Sequence, residues 1–431
     1  MQTIPRQRWL HIIPVALIMY TISYVDRTNV ALAFDPSLST AMRDLGMDDK
    51  IKGNAIGIFF WGYLLLQIPG GYFASRWSAR KVVSLCLLAW GAAAVGCGRA
   101  TSASEFALMR FLLGLAESCV YPATLVLLSN WFPRAERARA NGYWNLCQPL
   151  AVAAAAPITG GLLKAGGWRT ALIAEGALPF VWVFIWWFFI KDHPREAKWI
   201  SREEREYLET TLVSEAAQLE PAVPVPLWRA LMRPAVWVMV PICFLMNFCS
   251  YGCGTFLSEA LKSPDKNFTH LQTSLLFAVP YIVTAAVMIL VSRHSDRTQE
   301  RRGHVAAVYA LSGVCLIASV LAARHSFWLS FFFLCFAIQG PFAGLAPFFA
   351  IFPETMPASI VGAAMGLVNA LGNFGGWAGP ASFGWLKQET GGTAVPFSVM
   401  GAAILISSSL CFLLPRAKPQ DAALPREPLR P

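Results

Sequence analysis

The sequence predicts an all-α membrane protein with twelve transmembrane helices, arranged as two halves of six. Three observations lead to this prediction. The 431 residues are 56% hydrophobic and only 14% charged, whereas a soluble domain of this size carries about 25% charged residues. Twelve apolar runs are long enough to cross a bilayer. Basic residues are concentrated in alternate connecting loops, as expected when those loops stay on the cytoplasmic side.

Each predicted span is an apolar stretch of about 20 residues or more. Their approximate limits are 9–34, 53–75, 82–100, 103–130, 139–164, 168–190, 234–260, 271–292, 304–323, 326–351, 358–386 and 393–414. The first run is too long for the apolar region of a cleavable signal peptide and lacks a small-residue cleavage site. We therefore expect it to remain as a helix.

A polar segment separates the two sets of six spans. The predicted organisation is an N-terminal half at 1–190, a cytoplasmic linker at 191–233, a C-terminal half at 234–415 and a cytoplasmic tail at 416–431. Within the linker, the charged run at 201–206 predicts a short amphipathic surface helix. The prolines that follow it are typical of an irregular connection; they are Pro221, Pro224 and Pro226.

The net charge of +10 would raise nucleic acid as a partner if the protein were soluble. Here the basic residues favour the loops on one side of the membrane, which explains the charge without nucleic acid and places both termini in the cytoplasm. We expect a multi-pass protein of the cell inner (plasma) membrane, surrounded by the lipid bilayer and acting as a monomer.

The two halves repeat short patterns. The run NWFPR at 130–134 has a counterpart, AIFPE, at 350–354. The fifth span contains Gly160 and Gly161, and the eleventh contains Gly375 and Gly376. Parallel repeats of six spans are typical of secondary transporters whose binding site lies between the two halves.

Four ionisable residues interrupt two of the most apolar spans. Asp26 and Arg27 lie in the first span, and Arg110 and Glu117 lie in the fourth. A charge near the bilayer centre costs roughly 2.5–3.5 kcal/mol even on mild scales. Such residues are retained where they pair with one another or line a wet cavity, so they indicate a pathway for something charged.

Helical geometry predicts the depths of these four residues. Arg110 and Glu117 are seven residues apart and share one helix face, about 10 Å apart along the axis. Counted from the outer helix ends, Arg27 and Arg110 lie about 10 Å deep and Glu117 about 21 Å deep. Asp26, Arg27 and Arg110 therefore form an outer layer, and Glu117 lies near the midplane.

The loop between the second and third spans resembles the signature loop of the major facilitator superfamily. It reads GYFASRWSARK at 71–81, and its second copy begins at Asp296. The resemblance implies the major facilitator fold and gating roles for Gly71, Arg76, Arg80, Asp296 and Arg297. Ser75 and Ser78 stand where the signature usually has an acidic residue and a glycine. We expect a weaker latch in this loop, or one carried by the second copy.

Four further motifs narrow the resemblance. They are YVDRTN at 24–29, RFLLGLAE at 110–117, WFP at 131–133 followed by RARAN at 137–141, and PREAKWI at 194–200. Together they resemble the anion:cation symporter family, which includes bacterial permeases for sugar acids, tartrate, phthalate and hydroxyphenylacetate. The resemblance implies import of a small organic anion and substrate contacts at Tyr24, Arg27, Tyr63, Gln148, Asn369 and Asn373.

The charged residues predict a division between anion binding and proton transfer. Arg27 is the first candidate to bind a carboxylate, because the guanidinium fork suits that group, and Arg110 is expected to hold the neighbouring acids. Burial favours the neutral form of the Glu117 carboxyl whereas a nearby arginine favours the charged form, so Glu117 is the main candidate proton carrier. Asp26 is the second. Tyr121, four residues beyond Glu117, is placed in the same cavity.

The second half offers fewer candidates. The seventh span has no arginine in its core, which favours a substrate with one carboxylate; the alternative is a diacid bound by both Arg27 and Arg110. Asn247 and Tyr251 are weaker candidate contacts, and Glu259 and Lys262 are interpreted as loop charges.

The resulting hypothesis is a proton-coupled symporter that imports an organic carboxylate by alternating access. A uniporter or exchanger with the same site, a non-transporting sensor of the same anion, and a fixed ion-pair network among the four charges are the alternatives. No Walker loop, zinc-ligand spacing or Ser/His/Asp arrangement occurs, and the ten cysteines lack a CxxC pattern. We therefore expect no enzyme activity, cofactor or metal.

Overall fold

The chain is almost entirely helical in the computed structural model, which describes residues 6–217, 232–261, 268–356 and 358–414. The first half contains α1 (Gln7–Ala33), α2 (Ala41–Asp44), α3 (Asp49–Gly57), α4 (Phe59–Leu65), α5 (Gln67–Arg76), α6 (Ala79–Arg99), α7 (Ala103–Glu117), α8 (Val120–Trp131), α9 (Arg134–Asn145), α10 (Cys147–Gly176) and α11 (Leu178–Phe189). The linker contains α12 (Arg202–Ala217). The second half contains α13 (Pro234–Ala260), α14 (His270–Thr298), α15 (Arg302–Ala322), α16 (Phe327–Ala337), α17 (Gln339–Ala343), α18 (Leu345–Thr355), α19 (Ala358–Thr390) and α20 (Ala394–Cys411).

Helices cover each of the twelve predicted apolar runs, which confirms the all-α fold class. Among the described residues, nine helical stretches are long and apolar enough to cross a membrane, or ten if the bent pair Asp49–Leu65 and Pro69–Arg76 forms one span. One of the nine, Arg139–Phe189, covers the fifth and sixth predicted spans. It kinks at Gly167, where φ is 73°. The number twelve stays a prediction.

The predicted linker helix is observed as α12, but one side of this helix is buried against the rest of the protein. Glu204 is fully buried and accepts a hydrogen bond from the Gln7 main-chain N–H at 2.9 Å. Its carboxylate also pairs with the Arg8 guanidinium, which reaches Glu136 at 2.6 Å. The linker is thus fastened to the start of α1. The predicted tail and the three linker prolines lie outside the described residues.

Ser78 has a structural role at the position where the signature loop usually has a glycine. Its hydroxyl accepts a hydrogen bond from the Lys81 main-chain N–H at 3.0 Å and so caps the start of α6. The same hydroxyl donates to the Asp192 carboxylate, which also accepts from the Arg80 main-chain N–H at 3.0 Å. Serine therefore connects this loop to the start of the linker.

Two helices that carry site residues are in backbone contact at Gly114. A Cβ on this glycine would lie 2.0 Å from the Phe59 main-chain oxygen, where α4 crosses α7. Small residues at such crossings let helices approach closely in a membrane. Arg110 and Glu117 lie one turn to either side, so this crossing fixes their distance from α4.

We predict that Gly114→Ala lowers the free energy of unfolding by about 1–3 kcal/mol, since the added methyl forces α4 and α7 apart. Thermal unfolding of the purified protein in detergent measures the effect.

Gly142→Ala is the matched control. Gly142 also lies in a helix, and a Cβ there would meet no heavy atom within 4 Å. Equal melting temperatures for the two variants would contradict the close-packing interpretation.

Candidate functional site

The centre of the site is an ion pair between the first and fourth predicted spans. Arg27 Nε on α1 donates to Glu117 Oε2 on α7 at 2.7 Å. Ser23, one helical turn before Arg27, donates its hydroxyl to the same oxygen at 2.7 Å. All three side chains are buried. The arginine therefore extends from the predicted outer layer to the deeper carboxylate.

Four aromatic rings surround the Arg27 guanidinium. The distances from its Cζ to the ring centroids are 4.6 Å for Tyr63, 5.2 Å for both Tyr24 and Phe59, and 5.7 Å for Tyr20. Each face-on contact of this kind contributes about 0.5–2 kcal/mol, more where water is excluded. The rings stabilise the cation without using its N–H groups.

Three buried atoms of the charged cluster lack a hydrogen-bond partner among the described residues. They are Arg27 Nη2, Arg110 Nε and Glu117 Oε1. Buried polar atoms are nearly always paired in folded proteins, so unpaired ones need an explanation. The two guanidinium N–H groups are donors of the kind that a carboxylate accepts.

Arg110 and Asp26 contact each other through the main chain. Arg110 Nη1 donates to the Asp26 main-chain oxygen at 2.8 Å, whereas the Asp26 carboxylate accepts from Trp90 Nε1 at 2.5 Å. Arg110 thus holds the backbone of α1 next to Arg27, and the expected contact with the Asp26 carboxylate is replaced by a tryptophan of α6.

The neutral candidates contact one another. Tyr24 donates its hydroxyl to Gln148 Oε1 at 2.9 Å, and Gln148 Nε2 donates to Asn145 Oδ1 at 3.0 Å. Asn369 Nδ2 donates to Gln67 Oε1 at 3.3 Å and so connects the two halves.

Two candidates are separate from Arg27 in this conformation. The Tyr121 ring packs against Tyr20 and Trp144, with centroid distances of 5.8 and 5.0 Å. Asn373 is buried on α19, and its Nδ2 has no partner among the described residues.

A small cavity lies between the halves beside the two arginines. It measures about 10 Å³, room for about one water molecule. The lining residues are Arg27, Ile56, Phe59, Phe60, Arg110, Tyr251, Thr255 and Pro380. Tyr251 and Thr255 come from α13, so both halves contribute polar groups. Tyr251 lies beside Tyr24 and Arg27.

A second group of charges joins the halves near the helix ends predicted to face outward. Lys52 Nζ contacts Glu259 Oε1 at 2.8 Å, and Lys387 Nζ contacts Asp49 Oδ1 at 2.7 Å. Lys387 also pairs with Glu259. We call these four residues the outer cluster. The interpretation of Glu259 as a loop charge is wrong, because its side chain is buried between two lysines; Lys262 lies outside the described residues.

The outer cluster stands over a backbone-to-backbone contact between the halves. A Cβ on Gly384 of α19 would lie 2.2 Å from the Asp49 main-chain oxygen, so α3 and α19 have no room for a side chain between them. Glycine allows this approach because it has no Cβ. In this conformation the two halves are therefore in direct contact at the end of the bundle that is predicted to face outward.

The signature-loop candidates contact residues of their own half. A Cβ on Gly71 would lie 3.3 Å from Pro122 Cβ. Arg80 stacks on the Trp187 ring at 4.0 Å, and Arg76 lies over the Tyr72 ring at 5.6 Å. In the second copy, Arg301 pairs with Asp296 at 2.6 Å and with Glu354 at 2.9 Å. Arg297 is exposed.

Sequence reasoning missed several residues that complete the site. Ser23 could have been found from its position four residues before Arg27, on the same helix face. Trp90 and Phe59 lie within apolar runs and give no local signal of a polar contact. Glu259 could have been found only from the approach of α13 to α3.

The sequence matches the profile of the Major Facilitator Superfamily over residues 16–380 and 265–431. It is 28% identical over 426 residues to a protein of Agrobacterium vitis provisionally named as a tartrate transporter, covering 96% of this chain and 95% of the relative. It is 24% identical to a D-galactonate transporter of Escherichia coli, covering 95% of each chain.

Solved structures show the same fold. A bacterial homologue of the human lysosomal transporter Spinster, in an inward-facing and unoccupied conformation, matches with a TM-score of 0.76 at 18% identity. The match covers 95% of this chain and 97% of that structure.

The chain therefore belongs to the Major Facilitator Superfamily, a family of membrane transporters. It is an integral, multi-pass transporter of the inner membrane and not an enzyme, which confirms the expected class and location. The superfamily match confirms the resemblance of the loop at 71–81 to the signature loop.

We predict that Trp90→Phe destabilises the protein by about 1–3 kcal/mol, because the buried Asp26 carboxylate loses its donor. Thermal unfolding of the purified protein measures the loss. The cost should fall sharply in an Asp26→Ala background, where the Trp90 indole has no acceptor to lose, because the two side chains act as a pair.

Trp144→Phe serves as the control. Both indoles are fully buried, but Trp144 Nε1 has no partner among the described residues. If the two Trp→Phe changes cost the same in both backgrounds, the Trp90–Asp26 contact is not stabilising.

We also predict that Lys52→Ala combined with Lys387→Ala loosens the outer end, since Asp49 and Glu259 then repel each other without a cation. Hydrogen–deuterium exchange should quicken in α3 and at the outer ends of α13 and α19.

Arg202→Ala removes an exposed ion pair with Glu206 and should leave exchange in those helices unchanged. Wild-type exchange in the double variant would show that glycine packing alone closes the outer end.

Proposed function

We propose that this transporter is a proton-coupled symporter that imports a small organic anion by alternating access. The observation that carries the proposal is the state of Arg27. Its Nε is held by Glu117, while its buried Nη2 beside the cavity has no partner among the described residues. Relatives named for tartrate and D-galactonate transport support a carboxylate as the substrate.

Charge balance connects anion binding to proton binding. Arg27 and Glu117 form a neutral pair in a buried site, and a substrate carboxylate added to this pair would leave a negative charge in excess. Uncompensated charge is costly in such surroundings. A proton on Glu117 restores the balance and weakens its hold on Arg27. The guanidinium can then bind the substrate carboxylate with two N–H groups.

Asp26 and Arg110 lie next to the Arg27–Glu117 pair and support the coupling of anion binding to proton binding. Arg110 holds the main chain of α1 at Asp26, directly before Arg27, and so positions the anion-binding residue. Asp26 is the second proposed proton carrier, because its carboxylate is buried and accepts from the neutral Trp90 indole. Its proton state alters the charge beside Arg27 without a direct contact to the substrate.

The contacts between the two halves suggest how alternating access could occur. We infer that the halves at 1–190 and 234–415 move against each other around the linker, with the cavity at their boundary. The outer cluster closes one side, and opening it exposes the cavity. Tyr24, Tyr63, Gln148, Asn369 and Asn373 then supply neutral contacts, and Tyr251 adds a hydroxyl from the second half. Arg27 can bind one substrate carboxylate, and the unpaired Arg110 Nε can donate to a second carboxylate if the substrate is a diacid such as tartrate.

We predict that Glu117→Gln abolishes accumulation driven by a pH gradient but leaves counterflow intact, because binding persists without the titrating group. Arg27→Ala should lose binding itself. Both are measured in proteoliposomes with a panel of radiolabelled carboxylates that includes tartrate and D-galactonate.

Glu105→Gln is the matched control, since Glu105 is an exposed acid at the start of the same helix, α7. Concentrative uptake by Glu117→Gln would refute the proton-carrier role. Uptake without alkalinisation of the outer solution would instead indicate a uniporter or exchanger.

A further inference from the structure

A third buried acid lies in the first half, outside the cluster described above. Glu175 near the end of α10 is only 2% exposed. Its Oε2 accepts from Asn29 Nδ2 at 2.9 Å, and its Oε1 accepts from Thr159 Oγ1 at 2.5 Å. Both donors are neutral. Glu175 thus lies where α1 meets the two arms of α10.

Glu175 has no cation to balance a negative charge. Within the described residues, no lysine, arginine or histidine nitrogen lies within 4 Å of its carboxylate oxygens. An ionised carboxylate buried in an apolar bundle without a cation is strongly disfavoured, and the group takes up a proton instead. In this respect Glu175 differs from Glu117, which has Arg27.

The neighbourhood contains an acceptor for that proton. Asn29 Oδ1 is buried and has no partner among the described residues. An amide can present either its oxygen or its nitrogen to a neighbour in the same space. With the amide turned, a protonated Glu175 can therefore donate from Oε2 to the Asn29 amide oxygen while Oε1 still accepts from Thr159, so the contact with α1 persists without a charge.

Among the charged groups on the helices that pack around Glu175, the nearest like charge is Asp26. Asp26 on α1 lies three residues before Asn29, the donor to Glu175, and so on the same face of that helix, while Arg27 on the same helix is paired with Glu117. Arg99 is exposed at the end of α6. On α10 itself, Lys164 is exposed and Arg169 donates to the Gly98 and Ala100 main-chain oxygens. His270 begins α14, and the other charges of α6, α9 and α14 lie near the opposite helix ends. The helix α11 that follows Glu175 has no charged residue.

A proline follows Glu175 by four residues, where α10 passes into α11 (from Leu178). Ala177 between the two helices keeps a right-handed helical backbone, with φ −83° and ψ −17°, so the helical course continues through this point. Pro179 has no N–H to donate to the turn that contains Glu175. Counted from Trp168, at the predicted outer end of this arm, Glu175 lies about 10 Å deep, closer to the outer solution than Glu117.

We propose that Glu175 is a further proton-binding residue of the transport cycle. It is neutral while the outer end is closed, and it exchanges its proton with the outer solution when that end opens. An ionised Glu175 repels Asp26, so closure of the outer end requires the proton. Asn29 transmits this state to α1, two residues from Arg27. This inference rests on the proposed proton-coupled function.

Infrared spectroscopy of the purified protein tests the protonation directly. At about pH 7, wild type should show a protonated-carboxyl C=O band that Glu175→Gln lacks and Glu175→Asp restores. Glutamine keeps the hydrogen bonds to Asn29 and Thr159, so the change should spare the fold. An unchanged band pattern in Glu175→Gln would overturn the proposal.

Thr159→Val separates proton binding from a structural role. It removes one hydrogen bond but keeps the acid, so the band should shift in position and persist. If Thr159→Val and Glu175→Gln both lower thermal stability and neither affects the band, Glu175 is only structural.

Uptake of tartrate into proteoliposomes tests the role in the cycle. Glu175→Gln should lose the dependence of uptake on outside pH that wild type shows. Wild-type dependence in this variant overturns the role of Glu175 alone. An absence of gradient-driven uptake in wild type across the whole carboxylate panel would instead refute the proposed symport, and the infrared result would be unaffected.

Discussion

The buried ion pair between Arg27 and Glu117 is the interaction on which the rest of the site depends. A single charge within an apolar bundle is costly, and removing one partner of a buried pair leaves the other uncompensated. The pair survives because Ser23 adds a hydrogen bond and four aromatic rings surround the guanidinium. None of these contacts uses Arg27 Nη2, which keeps one donor available beside the cavity. The same constraint explains why substrate and proton would bind together, since either alone unbalances the pair.

The outer cluster also consists of buried and half-buried charges that need partners of opposite sign, but here the partners come from both halves of the protein. Each half contributes one acid and one lysine; the Lys52–Glu259 and Lys387–Asp49 pairs form only when the halves meet, whereas Lys387–Glu259 lies within the second half. Separated, all four groups can return to water. The cluster can therefore favour closure without preventing opening, because the gain from pairing is opposed by the cost of desolvation. In the proposed cycle, the central charges bind the substrate and the proton, and the outer cluster controls the movement of the halves.

The neutral polar groups are already paired in the closed arrangement. Tyr24 is bonded to Gln148, and Asn369 to Gln67 across the two halves. A substrate must therefore exchange hydrogen bonds with these groups and separate the halves, because the cavity holds only about one water molecule. Under the proposed function, this arrangement would link substrate recognition to conformational change. It also makes the contacts of α13 and α19, which move with the second half, part of any specificity.

Hydropathy and helical period determined the all-α membrane class, the helical course of each apolar run and the burial of Asp26, Arg27, Arg110 and Glu117, because these properties depend on neighbours along one helix. The signature loop was sufficient to indicate the superfamily.

Only the tertiary structure decided which side chains pair with one another. The packing of α1, α6 and α7 pairs Arg27 with Glu117 and places Trp90 in hydrogen-bond contact with Asp26. The approach of α3 to α13 brings Glu259 into contact with Lys52. Glu175 has no charged neighbour in sequence to mark it. Contacts between helices depend on crossing angles and depths that a single chain's local pattern does not encode.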